Sequence, residues 1–129
     1  MTLYITSTYL CRYSTKTIRD MQIQINGRIW LEGSDRFFGI GRLELLTHIQ
    51  RTGSINQAAK AMNMSYKRAW ELVQSMNGQA DAPLVATQTG GEKGGGAVVT
   101  EEGLKYIAYF QGLQDRFRQF ITQEMAQLP

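Results

Sequence analysis

Apolar and polar residues first alternate along this chain and then recur at helical spacing. In MQIQINGRIWLE, residues 21–32, apolar Ile23, Ile25, Ile29 and Leu31 alternate with Gln22, Gln24, Arg28 and Glu32, and Asn26-Gly27 offers a turn. The pattern predicts a strand or a small hairpin. After a Gly-flanked turn at Gly39 and Gly41 the period changes. Leu43, Leu46 and Ile49 then lie three apart, with Leu45 widening the stripe, in a short amphipathic helix ending at Gly53. Ser54 is a suitable N-cap for a second helix, Ile55 to Met62, with Ile55, Ala58, Ala59 and Met62 on one face. Asn63 tolerates the left-handed conformation of a tight turn. Ser65 can cap a third helix from Tyr66 to about Asn77, with Ala69, Leu72, Val73 and Met76 inward.

Pro83 forbids continuing that helix. PLVATQTGGEKGGGAVVT, residues 83–100, reads as two β-rich runs flanking a turn in which five of seven residues are glycine. From Thr100 onward Leu104, Ile107, Phe110, Leu113, Phe117, Phe120 and Met125 step by three or four, nearly a heptad seam at first. This predicts a long helix, longer than one small domain needs.

The 129 residues, 43% hydrophobic and 19% charged, suit one ordinary soluble domain rather than a disordered chain. The mean hydropathy of −0.30 points the same way. No run approaches the roughly 18 apolar residues of a membrane span. Residues 1–20 lack the apolar core of a secretory signal and have no regular period. They read as a disordered N-terminal extension, with Met21 a candidate working start. Cys11, the only cysteine, excludes an intrachain disulfide and a four-cysteine metal site, and fits a reducing cytoplasm.

The net charge is +3, but Arg12, Lys16 and Arg19 against Asp20 place +2 of it on the first twenty residues. The local pattern matters more. Between Glu44 and Glu71 stand Arg51, Lys60, Lys67 and Arg68, with no acid among them.

That basic segment coincides with the strongest motif, SINQAAKAMNMSYKRAWEL, residues 54–72. A helix-turn-helix needs a small residue where its helices cross, which Ala59 supplies, and a sharp turn soon after, which Asn63 supplies. Ile55, Ala58, Met62, Met64, Ala69 and Leu72 form the shared core, leaving Ser65, Tyr66, Lys67, Arg68 and Trp70 near the start of the second helix. Lys67 and Arg68 there suit phosphate and base contacts, although the same pattern fits an ordinary helix pair with a solvated face. Trp70 fits core or wing packing as well as a sugar contact. In TGGEKGGGAVV, Lys93 precedes glycines and a strand rather than Ser/Thr and a helix, so a nucleotide loop is poorly matched. A wing tip, with Lys93 as a phosphate contact, and a plain surface turn both fit. The lone His48 and the scattered carboxylates form no catalytic set, so no enzyme, cofactor or metal site is expected.

The run TGSINQAAKAMNMSYKRAWELVQSMN, followed by LVATQTGGEKGGGAVVTEEG and a long helix, resembles the N-terminal DNA-binding domain of ModE-type molybdate-responsive transcriptional regulators. The resemblance runs from about Ile23 to the C-terminus. It implies a LysR-like winged helix-turn-helix, mainly α with a small β wing, over residues 21–99. Residues 100–129 would be a long C-terminal dimerisation helix. It also implies a homodimer, formed through the N-terminal strand region and the last helix, on a palindromic operator in double-stranded DNA. By match Ser65, Tyr66, Lys67 and Arg68 lie in the groove and Lys93 on the wing; Ser54, at the start of the motif, is counted with them. The family's molybdate-binding module would begin where this sequence ends, so the expectation is a stand-alone form with no ligand residues. Such a form binds DNA constitutively, works with a separate molybdate-sensing protein, or answers another signal. The alternative is a winged-helix interaction module that needs a partner and binds no DNA.

Overall fold

A computed structural model describes residues 22–88 and 96–129. The expected N-terminal extension and Lys93 lie outside the described residues. Eight elements follow in order: β1 Leu31–Glu32, β2 Arg36–Phe38, α1 Ile40–Thr52, α2 Ile55–Ala61, α3 Tyr66–Gln79, β3 Val85–Gln88, β4 Gly96–Val99 and α4 Glu101–Met125. Four helices and two antiparallel two-stranded ribbons make a mainly α fold with a small β wing.

The central helices form where local signals ask for them. Gly53 ends α1 in the left-handed region at φ 71°, its amide donating to the Ile49 carbonyl over 2.7 Å. Ser54 caps α2, and Ser65 caps α3. Between them Asn63 takes φ 55°, the single left-handed non-glycine residue among those described. The core is where the helical periods converge. Leu45, Leu46 and Ile49 of α1, Ala58 and Ala59 of α2, and Ala69, Val73 and Met76 of α3 are all essentially inaccessible. Two alanines at the α2 crossing let the helices approach closely, as the motif requires. Gly41, expected in a turn, lies in the first turn of α1, and Gly39 is its N-cap.

The wing is set against this core by named bonds. β3 and β4 pair in register from Val85↔Val99 to Gln88↔Gly96. The Asn77 side chain of α3 accepts from the Leu84 amide at 2.8 Å and donates to the Val85 carbonyl at 2.9 Å. On the other strand, the Ala97 amide donates to the Gly53 carbonyl at 2.9 Å. The wing therefore takes its position from both α3 and the α1–α2 corner.

One expectation needs correction. The N-terminal hairpin does not turn at Asn26-Gly27: residues 22–30 have no regular structure, and the pairing is Leu31↔Phe38 and Glu32↔Arg36. Its register follows from β2, whose Phe37 and Phe38 stack edge-on against Tyr106 and Phe110 of α4, with centroids 5.0 and 5.5 Å apart. That anchorage outweighs the local turn signal. In α4, Leu104 is exposed and Gly103 is the inward residue. A Cβ at position 103 would collide with the Leu84 carbonyl and lie 2.6 Å from Val99 Cγ1. Only glycine lets α4 start this close to the wing base.

Candidate nucleic-acid interface

The candidate interface is built on the first turns of α3. Ser65 Oγ accepts the Arg68 amide at 3.0 Å, and Met64 donates its amide to Ala59 at 3.0 Å, so the turn and the helix start are fixed together. Because Ala69, Leu72, Val73 and Met76 point inward, the 3.6-residue period turns Lys67, Trp70, Glu71 and Gln74 outward, and all four are exposed; Tyr66, on the Val73 side of the helix, is exposed at its first position. Tyr66 and Trp70 are 51% and 44% accessible. The indole is thus not a core side chain, and it joins Tyr66 and Lys67 on the outer surface. No sequence signal separated core from surface for it; the burial of its neighbours does.

Arg68 goes elsewhere. It lies on the flank of α3 and, with Met64 and Leu72, lines an open cleft of about 350 Å³ that also takes Arg28, Arg36 and Arg42. Sequence reasoning grouped Arg68 with Lys67 and passed over the other three arginines, which come from separate segments. Arg42 donates through Nη1 to the Phe37 carbonyl at 3.1 Å and to Ser75 Oγ at 3.0 Å. Burial pushes its guanidinium below its usual pKa, Asp35 opposes that shift, and the like charges of Arg68 and Arg36 add to it.

Ser54 works first as a cap, its Oγ accepting the Gln57 amide at 3.1 Å, and it stands beside Gly53, to which β4 is hydrogen-bonded. Ser54 and the wing base therefore border the same corner as α2. No group of acidic, histidine or cysteine side chains among the described residues could hold a metal, and no helix among them is long and apolar enough to cross a membrane.

An outward-facing helix preceded by a capped helix and a tight turn, with an antiparallel ribbon fastened beside it, defines a winged helix-turn-helix. Residues 40–104 match the bacterial regulatory helix-turn-helix proteins of the LysR family, and the chain belongs to that family. It is 45% identical over 84 residues to the molybdenum-pterin-binding protein MopB of Rhodobacter capsulatus, covering 65% of this chain and 31% of that protein. It is 42% identical over 77 residues to the molybdenum transport protein ModE of Azotobacter vinelandii, covering 60% and 28%. To the DNA-binding transcriptional dual regulator ModE of Escherichia coli K12 it is 45% identical over 69 residues, covering 54% and 26%. The chain thus spans under a third of the length of these relatives. A crystal structure of a LysR family transcriptional regulator superposes with a TM-score of 0.46 at 22% identity, over 59% of this chain and 24% of that one.

Proposed function

We propose that this protein is a sequence-specific transcriptional regulator of molybdenum-related genes that binds a palindromic operator in double-stranded DNA as a homodimer. The observation that carries the proposal is the capped start of α3, which presents Tyr66, Lys67 and Trp70 to solvent while its opposite face is buried. An exposed helix of this kind fits the major groove, with Ser65 at its start in the groove and the Ser54 corner against flanking phosphates. Arg68 and Lys93 complete the contact set, Arg68 from the flank of α3 and Lys93 by its place in the wing sequence. The relatives' names, which speak of molybdenum and of DNA-binding regulation, support the gene class. α4 supplies the dimer surface through exposed Leu104, Tyr109 and Phe120, and two-fold symmetry sets the reading helices about one DNA turn, roughly 34 Å, apart.

Fluorescence anisotropy tests this. The full chain is titrated against an inverted-repeat duplex from a molybdate-uptake promoter and against a scrambled duplex, over a range of salt, with and without molybdate. The expected result is tighter binding to the inverted repeat, with Lys67→Ala weakening both duplexes and lowering the log–log salt slope by about one. Binding indifferent to molybdate means that this chain does not itself sense the oxyanion, and leaves constitutive binding, a separate molybdate-sensing protein or another signal. Equal affinity for both duplexes overturns the sequence-specific reading, and no binding to either favours a partner-dependent interaction module.

A further inference from the structure

The arginine cleft beside α3 has a composition that groove reading does not require. Its cations come from four places: Arg28 from the extended segment before β1, Arg36 from β2, Arg42 from the first turn of α1 and Arg68 from the first turn of α3. No acidic residue lines it. Two acids stand beside it, each bonded to a residue of its wall, and the charge of Asp35 partly offsets that of its neighbours at Arg42. Glu32 Oε1 accepts from the Trp30 indole at 2.7 Å, and Asp35 Oδ1 accepts the Arg36 amide at 2.7 Å. The ion pairs among the described residues, Lys105–Glu102 and Arg118–Asp115, both lie on α4.

Two of the four guanidiniums are also held in place. Arg36 sits 4.2 Å from the centroid of the Trp30 ring, and Arg42 is fixed by its bonds to Phe37 and Ser75. Holding like charges together opposes folding, and a bound anion relieves that cost. Planar guanidinium forks match tetrahedral oxyanions through paired N–H bonds, and a dianion offsets more of the charge than a carboxylate does. α1 starts at the same cleft, with Gly39 giving no side-chain cap and no acid in the first turn, so its leading amides add donors to what the arginines provide.

We propose that this cleft binds a phosphate-class tetrahedral oxyanion, gripped by Arg28, Arg36, Arg42 and Arg68. The anion is either free in solution or a phosphate of the DNA backbone; the second source rests on the DNA-binding proposal and the first does not. Trp30 borders the cleft and reports its occupancy.

In the full chain carrying Trp70→Phe, where Trp30 is the sole indole, fluorescence is titrated with inorganic phosphate at constant ionic strength, with chloride as the control. A saturable response to phosphate alone is expected, weakened about tenfold by Arg28→Gln and by Arg68→Gln, as the loss of a charged hydrogen bond implies. Circular dichroism checks that both variants fold. Arg28→Gln is the cleaner of the two, because Arg28 is exposed on the irregular segment. Repeating the titration with saturating duplex separates the sources: loss of the response assigns the cleft to a backbone phosphate, and its persistence to a free oxyanion. If phosphate gives no free response but Arg28→Gln lowers the salt slope for duplex by about 0.9, the occupant is the backbone alone. A saturable phosphate response, when the chain with Trp70 intact binds no duplex in the anisotropy assay, removes the DNA-binding proposal and leaves this one standing. The proposal is overturned if phosphate and chloride give the same curve and Arg28→Gln leaves the salt slope unchanged, or there is no duplex binding to measure.

Discussion

The two halves of α4 carry one apolar period and use it differently. In the first, Gly103, Ile107 and Phe110 are buried against the wing base and the paired phenylalanines of β2. In the second, Phe117 is half-buried against the extended N-terminal segment, where a Cβ on Gly27 would lie 3.1 Å from its Cζ. The Ile25 amide donates to Met125 Sδ at 3.2 Å, and Phe120 is 55% accessible. A hydrophobic period therefore reports which face of a helix is apolar and says little about what covers it. The first half belongs to the core of its own chain; the second, among the described residues, meets the irregular segment before β1.

The largest expected effect tests the first half. Phe110 is fully buried and meets Phe38 edge-on, so Phe110→Ala should cost about 3–5 kcal/mol, read from urea unfolding. A cost below about 1 kcal/mol would place Phe110 on the same footing as an exposed residue and dissolve the contrast between the halves.

Gly103→Ala comes next, at about 1–3 kcal/mol, because the added methyl meets a backbone carbonyl that cannot move without shifting the wing. The same titration measures it, and amide exchange should show the loss concentrated at Leu84 and Thr100, whose amide donates to the Leu84 carbonyl at 2.9 Å. A loss spread evenly over the fold would mean that the close approach at Gly103 is not the cause.

Much of the fold was legible because its determinants are local. Gly53, Ser54, Asn63 and Ser65 each do within a few residues what their chemistry prefers, so the three central helices and their boundaries follow from the sequence. The features missed or misread depend on distant partners. Asn26-Gly27 is a good turn dipeptide, yet the pairing formed at Glu32↔Arg36 because Phe37 and Phe38 pack on a helix some seventy residues later in the chain. Gly103 carries no signal of its own, since only the fold brings the Leu84 carbonyl beside it. On α3 the period places Lys67 outward and Arg68 on the flank, whereas the arginines at positions 28, 36 and 42 that share its cleft converge only in the folded chain. Hydrophobic patterning has no term for such a convergence of like charges.

The smallest effect on the fold is expected from Phe120→Ala, and it sharpens the contrast most. More than half of that side chain is accessible, so its removal should change stability by no more than about 0.5 kcal/mol when unfolding is measured at protein concentrations low enough for monomers. If the second half of α4 instead pairs with its copy in a partner subunit, the same substitution should raise the dimer dissociation constant about tenfold or more in sedimentation equilibrium, as an aromatic residue lost from an interface does. The two readouts separate because intrachain packing is independent of protein concentration and dimer packing is not. A concentration-independent loss of about 2 kcal/mol would put Phe120 inside the monomer's own core and make the two halves alike. Unchanged stability with an unchanged dissociation constant would leave the second half of α4 outside both cores, and the dimer surface would then have to lie elsewhere on the chain.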